Sequence, residues 1–222
     1  MRILVTGVTG YIGGRLVPEL LDAGHEVRVL ARHPERLSDR TWVDRVEVVA
    51  GDASDAAVVH RALRGVDVAY YLLHSLLAGE GFEELERTIA RTFAAAAREE
   101  GVGRIVYVGA LLPDLPVEAM SEHFRSRAEV SQIFRTSGVP TIELRAAVII
   151  GSGSASFEMV RYLTERLPVM VTPNWVRTET QPIAIRDVLY YLVRVADLPG
   201  DINRAFEIGG PDVITYEEMM HG

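Results

Sequence analysis

The sequence predicts an α/β protein built on a doubly wound parallel sheet. Apolar segments of strand length alternate with amphipathic segments of helical period through residues 3–150. The first strand runs directly into a glycine-rich turn that is followed by a helix. The fourth strand segment, Val66–Leu73, is mostly apolar, which is typical of a parallel strand covered by helices on both faces.

Composition narrows the classes of protein to consider. The 222 residues fit one domain with a small annex, and a hydrophobic content of 48% suffices for a buried core. The net charge of −8 argues against nucleic acid as a partner, and no apolar run is long enough to span a membrane. A cytoplasmic location is expected, because the N-terminus enters the first strand rather than a signal peptide.

Two residue types are missing, and each absence excludes a chemistry. Without cysteine there are no disulfides, thiol nucleophiles or cysteine metal sites. All 23 basic residues are arginine, so mechanisms that need a lysine amine are excluded. Arginine cannot replace lysine as a base, because it stays protonated in proteins. No metal site is predicted, since no histidine has another histidine one helical turn away.

The opening segment reads as a strand at Ile3–Val5, a turn with three glycines and the start of a helix. Gly7 allows a sharp turn, Gly10 allows a pyrophosphate to approach the backbone, and Gly13 allows the helix to pack closely on the strand. The N-terminus of the helix offers unpaired N–H groups to phosphates. We therefore predict a dinucleotide site here; the alternative is a glycine turn that binds nothing.

The second strand, His25–Ala31, completes a βαβ unit after the first helix ends near Gly24. At this point NAD enzymes usually place an acidic residue on the ribose 2′-hydroxyl, whereas this chain has Arg32. A guanidinium suits a 2′-phosphate through its charge and its bidentate fork, so NADP is predicted as the cofactor, with NAD as the alternative. A solvated loop residue is the other interpretation of Arg32.

Polar residues follow two of the later strands. Asp52, after the predicted strand Arg45–Ala50, could accept a hydrogen bond from an adenine amino group or cap the helix that begins at Ser54-Asp55. His74 is the first polar group after the fourth strand, at the edge of the sheet where ligands bind. A hydrogen-bonded structural histidine is an equal alternative to a catalytic one.

Further elements complete the predicted core, residues 1–150. They are a helix over Phe82–Glu100 with Leu85, Ile89 and Phe93 facing inward, a strand at Gly103–Val108, a helix from Ser121 to Thr136, and a strand at Val139–Ile150.

Residues 151–222 are predicted to form a small annex on the substrate side of the core. Its elements are a helix at Phe157–Leu167, a short segment at Ile183–Ile185, a last strand near Phe206–Gly210 and a helix begun by a capping box at Thr215–Glu218. Because that helix is short, the natural chain is expected to continue past Gly222.

Several motifs resemble the short-chain dehydrogenase/reductase superfamily in its extended or atypical branch. They are Thr-Gly-Val-Thr-Gly-Tyr-Ile-Gly at 6–13, Gly-Asp at 51–52, Arg-Ile-Val-Tyr-Val-Gly at 104–109, Leu-Arg-Ala-Ala-Val-Ile-Ile-Gly at 144–151 and Gln-Pro-Ile-Ala-Ile-Arg-Asp-Val at 181–188. The resemblance covers essentially the whole chain. It is nearest to the NAD(P)H-binding group that includes the NmrA-like and sugar-epimerase-like proteins.

This resemblance implies a Rossmann core and assigns residues to its ligand. The residues implied in nucleotide binding are Gly7, Thr9, Gly10, Tyr11, Ile12 and Gly13 along the turn, Arg32 at the 2′-phosphate, Asp52 and Ala53 at the adenine, and Leu72, Leu73 and His74 toward the ribose and nicotinamide.

The chain departs from the family at the catalytic helix. The family's tyrosine and lysine, four residues apart on one helical face, are replaced by His123 and Arg127. In one hypothesis His123 is a substitute proton donor of an oxidoreductase or epimerase-like enzyme. In the other, the protein binds NADP(H) without efficient turnover, as a redox sensor, regulator or accessory subunit. A solvent-facing pair without a role in the site is the remaining alternative for the two residues.

Substrate-side candidates are arginine and glutamine residues outside the glycine turn. Arg177 could hold a phosphate or carboxylate of an unknown small-molecule substrate, with Gln181 beside it, but a solvated loop arginine is equally plausible. Arg145 lies at a strand end near the expected nicotinamide; pairing with Glu143 or Asp187 is its structural alternative.

Overall fold

The computed structural model describes residues 1–74, 81–154, 158 and 174–221. Its strands, in chain order, are β1 (Arg2–Val5), β2 (Glu26–Ala31), β3 (Glu47–Ala50), β4 (Val68–Tyr71), β5 (Arg104–Ala110), β6 (Thr141–Ala146), β7 (Ile149–Ile150), β8 (Glu179–Thr180), β9 (Ile183–Ala184), β10 (Arg204–Ile208) and β11 (Ile214–Thr215). Its α-helices are α1 (Gly13–Asp22), α2 (Ala56–Leu63), α3 (Phe82–Glu99), α4 (Glu122–Arg135), α5 (Ile185–Ala196) and α6 (Tyr216–His221).

Seven strands form one parallel sheet in the order β10-β6-β5-β4-β1-β2-β3. The chain moves outward from β1 to β3, returns to pair β4 with β1, and then moves outward on the other side. The strand order therefore reverses between β1 and β4, and ligands of open α/β sheets bind beyond the carboxyl ends of the strands at such a reversal. The predicted doubly wound parallel sheet is confirmed.

Two apolar cores, one on each face of the sheet, explain why the strands are apolar. Alternate residues of one strand point to opposite cores, as Ile3 and Leu4 of β1 do. Helices α1 and α5 cover one face, and α2, α3 and α4 cover the other. Within the ranges that the structure describes, no helix combines the length and apolar character needed to cross a bilayer.

One strand and one helix of the predicted annex are part of the core. β10 pairs with β6, from Arg204 opposite Ile142 to Ile208 opposite Ala146, and α5 packs over the same face as α1. The short pairs β7–β9 and β8–β11 lie outside the main sheet. The capping box is confirmed, because Thr215 N donates to Glu218 Oε2 at 2.7 Å and Glu218 N donates to Thr215 Oγ1 at 3.1 Å.

Three local predictions need correction. The single strand predicted at 139–150 is divided into β6 and β7, because β7 leaves the main sheet to pair with β9. Leu85 is exposed rather than inward-facing, and its neighbour Glu86 is buried instead. Asp55, not Asp52, caps α2 by accepting from the backbone of Ala57 and Val58. The helix predicted at Phe157–Leu167 falls largely outside the described residues.

Buried arginines anchor the C-terminal ends of two helices. Arg104 donates to the carbonyl oxygens of Val195 and Ala196 in α5 at 2.8 and 3.0 Å, and to those of Leu198 and Gly200 at 2.8 and 2.7 Å. These carbonyls have no partners within their own helix, and the negative end of the helix dipole favours a cation there. Arg28 contacts the end of α2 in the same way.

Candidate active site

The turn between β1 and α1 requires glycine at positions 7 and 13. Gly7 has φ +66°, and a Cβ there would lie 2.3 Å from the carbonyl oxygen of Leu72. A Cβ on Gly13 would lie 2.5 Å from the carbonyl oxygen of Gly7, so α1 approaches the turn as closely as backbones allow. A Cβ on Gly10 would lie 3.0 Å from the same oxygen, and Gly10 itself is exposed. No side chain caps the N-terminus of α1, where Ile12 is the N-cap residue.

A cavity of about 550 Å³ lies above this turn and will be called the large cavity. It is bordered by the turn itself and by the ends of β2, β3 and β4. The residues that line it include all twelve predicted cofactor-binding residues, namely Gly7, Thr9, Gly10, Tyr11, Ile12, Gly13, Arg32, Asp52, Ala53, Leu72, Leu73 and His74. The glycine turn and the uncapped helix end fit a dinucleotide, whose diphosphate needs close backbone approach and free N–H donors.

Arg32 and Asp52 border one end of the large cavity. Their side chains form an ion pair with 3.6 Å between Arg32 Nη1 and Asp52 Oδ2. The Arg32 side chain is 70% exposed, so most of its donors face solvent. Hydrogen bonds from the backbone and hydroxyl of Ser54, together with Arg32, lower the pKa of the Asp52 carboxyl. His33 and Arg36 line the same end, which makes it rich in basic groups.

Thr6 joins the ends of β1 and β4, the two strands between which the order reverses. Its buried hydroxyl donates to the carbonyl oxygen of Tyr70 at 3.0 Å and accepts from the Leu72 N–H at 3.0 Å. This bridge holds Leu72 against Gly7 at the cavity wall. Thr6 is a structural part of the site that the sequence motif contained but that received no separate role.

A smaller cavity of about 200 Å³ adjoins the large one and will be called the small cavity. The two share a wall formed by Ile12, Leu72, Leu73, His74, Ala147 and Ile149. The small cavity is otherwise apolar, and its side chains with polar atoms are those of His74, His123 and Arg127. Gly109 and Ala110, at the end of β5, also line it.

His123 lies at the small cavity in a half-buried position. Its ring lies edge-to-face with that of His74, with 5.2 Å between centroids, and its Nδ1 atom is buried without a hydrogen-bond partner among the described residues. Loss of solvation lowers the pKa of the imidazole below its ordinary value of 6.5; His74 and Arg127 add to this effect, and Glu86 opposes it. His123 is therefore mainly neutral near pH 7.

Arg127 is buried, with a relative exposure of 9%. Its Nη2 donates to the Val108 carbonyl oxygen at 2.5 Å, its Nη1 lies 3.4 Å from His74 Nδ1, and its guanidinium lies over the Tyr107 ring at 4.8 Å. The interpretation of His123 and Arg127 as a solvent-facing pair is thus wrong. They lie on one face of α4, as their spacing predicts.

The substrate-side candidates lie elsewhere. Arg145 pairs with the buried Glu143, with 3.1 Å between Arg145 Nε and Glu143 Oε1, which is the structural alternative predicted for it. Gln181 donates to the Gly210 carbonyl oxygen at 2.8 Å, and Arg177 is an exposed residue at the end of a 3₁₀ turn. None of the three lines the large or the small cavity.

Fold and cavity together define the class of protein. A parallel sheet of this order, a glycine turn at its reversal and an uncapped helix N-terminus are the features of a dinucleotide-binding Rossmann protein. Comparison with known families agrees: residues 7–151 match the family described as NAD(P)H-binding. The chain belongs to this NAD(P)H-binding family, in the atypical part of the short-chain dehydrogenase/reductase superfamily.

Proteins similar to this chain include two reductases and a dehydratase. A curated relative from Streptomyces griseus, named (4-alkanoyl-5-oxo-2,5-dihydrofuran-3-yl)methyl phosphate reductase, is 34% identical over 98% of this chain and 71% of its own length. The dTDP-glucose 4,6-dehydratase of Streptomyces venezuelae, solved with NAD, has a TM-score of 0.79 and 25% identity over all of this chain and 79% of that one. The Citrobacter triphenylmethane reductase, solved with NADP(H), has a TM-score of 0.76 and 21% identity, covering 99% and 73%.

One charged residue of the site escaped the sequence analysis. Glu86 on α3 is 4% exposed, and its Oε1 lies 2.9 Å from His74 Nδ1. The signal was present, because Glu86 shares a helical face with the buried residues Ile89, Ala90 and Phe93. A carboxylate on an apolar stripe indicates a specific partner, since an unpaired buried charge is costly.

Proposed function

We propose that this protein is an NADP-preferring reductase that acts on an electron-poor, conjugated carbon–carbon double bond. The observation that supports this most is the set of polar groups at the small cavity: two imidazoles and a guanidinium, in place of a tyrosine and a lysine. These groups can stabilise negative charge on an acceptor, and only the imidazoles can exchange a proton near neutral pH.

The cofactor would occupy the large cavity. Its diphosphate would bind the backbone between Gly7 and Gly13 at the N-terminus of α1. Arg32 would pair with the 2′-phosphate, and Asp52 and Ala53 would meet the adenine. Leu72, Leu73 and His74 would line the path to the nicotinamide, next to the small cavity. Support comes from the cavity lining and from the exposed guanidinium of Arg32.

The proposed reaction takes into account that His123 and Arg127 stand at the small cavity in place of a tyrosine and a lysine. When bound, NADPH supplies a hydride to the β-carbon of the acceptor. The electron pair of the double bond then moves onto the conjugated carbonyl oxygen, where the Arg127 guanidinium and the His123 N–H group can stabilise the resulting enolate. His123, protonated from solvent, donates a proton to the α-carbon and completes the reduction.

Conjugate reduction suits this site better than reduction of a simple ketone. An isolated ketone yields an alkoxide, a strong base that needs an acid in place as the hydride arrives. An enolate is a much weaker base and can be held by a fixed cation until a proton arrives. The compound in the name of the Streptomyces griseus relative has a ring double bond conjugated with two carbonyl groups, which supports the same acceptor class.

Turnover of NADPH with matched acceptors tests the proposal. We expect the protein to oxidise NADPH with 3-acyl-2(5H)-furanones or related α,β-unsaturated carbonyl compounds, and not with their saturated counterparts. The rate should rise as pH falls below about 6.5, because the lowered pKa of His123 keeps its proton-donating form scarce at neutral pH. His123→Ala should reduce turnover about 100-fold or more while NADPH affinity stays unchanged.

A different result would favour the second function. If NADPH binds tightly but no conjugated or simple carbonyl acceptor supports turnover, and His123→Ala changes nothing, the protein is a non-catalytic NADP(H)-binding regulator or accessory subunit. Faster turnover of saturated ketones than of conjugated acceptors would contradict the proposed substrate class but not the proposed reductase activity.

A further inference from the structure

The buried carboxylate of Glu86 contacts the site but has no part in the reaction as proposed. Its Oε1 lies 2.9 Å from His74 Nδ1, and its Oε2 accepts a hydrogen bond from Ser126 Oγ at 2.5 Å. Burial of a carboxylate is unfavourable unless hydrogen bonds compensate it. The contacts to His74 on one side and to α4 on the other show that the Glu86 carboxylate links three elements: the end of β4, α3 and α4.

The contact between Glu86 and His74 indicates which ring nitrogen carries the proton when Glu86 is ionised. An ionised carboxylate only accepts, so a 2.9 Å contact with Nδ1 requires a proton on Nδ1. Arg127 only donates, and its Nη1 lies farther from the same atom, at 3.4 Å. Distance and charge therefore both indicate that the Nδ1–H group of His74 donates its hydrogen bond to Glu86. In the neutral ring, Nε2 is then the acceptor, and no hydrogen bond to it is formed within the described part of the chain.

The titratable and charged groups around Glu86 and His74 are Tyr71, Tyr107, Arg127 and His123. Burial raises the pKa of the Tyr71 and Tyr107 phenols above their ordinary range, so both stay neutral. Arg127 supplies the positive charge beside them. His123 also lies close to Glu86. Burial lowers the pKa of its imidazole, and the smaller effect of Glu86 raises it.

We propose that Glu86 is a positioning residue of this site, whose carboxylate holds His74 in the Nδ1–H tautomer and thereby leaves Nε2 to accept a hydrogen bond from a bound hydroxyl group. The hydroxyl groups of a nicotinamide ribose have the required chemistry. This assignment rests on the proposed function in placing the cofactor ribose beside His74. The logic is that of a carboxylate orienting a histidine in a catalytic triad.

Nuclear magnetic resonance of ¹⁵N-labelled histidine rings tests the assignment directly. Long-range ¹H–¹⁵N spectra distinguish the two neutral tautomers, and a His74→Gln variant identifies the resonances of His74. We expect the wild-type ring to be in the Nδ1–H form, which is the minor form in water. Glu86→Ala should return His74 to the Nε2–H form, because the acceptor at Nδ1 is gone.

Two further variants keep the test decisive. Glu84→Ala removes an exposed carboxylate of the same helix that pairs with Arg87, and it should leave His74 in the Nδ1–H form. Should Glu86→Ala fail to fold, Glu86→Gln keeps the shape and an acceptor oxygen. In Glu86→Gln, His74 should stay in the Nδ1–H form. The pKa of His123 should fall further, because the negative charge of Glu86 is lost. An Nε2–H ring in the wild type, or an unchanged tautomer in Glu86→Ala, would overturn the proposal.

Addition of NADPH distinguishes a failure of the proposal on Glu86 and His74 from a failure of the proposed function. If Nε2 accepts a ribose hydroxyl, NADPH should shift the His74 Nε2 resonance of the wild type and have a smaller effect in Glu86→Ala. A wild type that binds NADPH without any change at His74 would contradict the role of Nε2. Absence of NADPH binding would refute the proposed function, whereas the tautomer result would still decide the role of Glu86 toward His74.

Discussion

Arg32 and Arg127 carry the same charge in opposite surroundings, and the difference sets what each can do. The Arg32 side chain is 70% exposed and pairs loosely with Asp52. Arg127 is buried and fixed by the Val108 carbonyl oxygen and the Tyr107 ring. An exposed, incompletely paired guanidinium can bind a phosphate from solution, whereas a buried one can stabilise charge that forms beside it.

Arg32→Ala is expected to weaken NADPH binding and leave NADH binding within about twofold. Charge-assisted hydrogen bonds contribute about 1.5–3 kcal/mol, so the dissociation constant for NADPH should rise roughly 10- to 100-fold. Isothermal titration calorimetry with both cofactors measures the effect. Arg61→Ala is the matched control, because Arg61 is exposed on α2 and lines neither cavity. Equal losses for NADPH and NADH would place the Arg32 contact elsewhere than on the 2′-phosphate.

Side-chain pairs show what the sequence could and could not predict about the site. Parallel strand ends meet at one edge, so the proximity of Arg32 to Asp52 follows from the predicted topology. The spacing of His123 and Arg127 predicted their common helical face. The contact between Glu86 and His74 was not predictable, because it depends on how α3 is rotated against β4. The pairing of Arg145 with Glu143 was one of two alternatives that only strand geometry could separate.

The helix α5 illustrates how an element depends on a distant residue. Its sequence is amphipathic, but the carbonyl groups at its C-terminal end need partners, and Arg104 at the start of β5 supplies them. Because β5 is an interior strand of the sheet, this contact fixes the end of α5 over one face. Arginine is suited to the task, since a guanidinium presents several donors in one plane.

Arg104→Ala is expected to lower the free energy of unfolding by about 3 kcal/mol, because four carbonyl oxygens lose a charged donor. Arg104→Lys should lose less, since an ammonium group can still reach some of them. Urea unfolding followed by circular dichroism measures both, with Arg61→Ala as the exposed control. A loss below about 0.5 kcal/mol for Arg104→Ala would show that solvent replaces the contact.

Element boundaries were predicted with uneven success, and the errors have physical causes. The βα units near the N-terminus were predicted closely, because hydrophobic period and glycine position agree there. The strand predicted at 139–150 was wrong as one element: its apolar run continues, but β7 turns away to pair with β9. Leu85 was wrongly predicted to face inward because it is hydrophobic, whereas its neighbour Glu86, for which no orientation was predicted, is the buried residue.

The molecule as a whole presents one end of α1 to a cavity. The strand order reverses beside β1, the glycine turn removes side chains from this point, and Thr6 locks the neighbouring strand end in place. This architecture was predictable because it follows from the order of strands and helices along the chain. The chemistry of the small cavity was less predictable, because it depends on contacts between residues far apart in sequence.

The most direct test of this account is the affinity of a Gly10→Leu variant for NADPH, measured by calorimetry. Gly10 is exposed at the cavity and has no left-handed φ, so a Cβ there needs only a shift of a few tenths of an ångström from the Gly7 carbonyl oxygen. A larger side chain would occupy the space proposed for the diphosphate. Arg61→Ala, on the exposed face of α2 and outside both cavities, is the control. We expect NADPH binding to fall at least about 100-fold in Gly10→Leu and to be unchanged in Arg61→Ala. A folded Gly10→Leu protein with wild-type affinity would contradict the account.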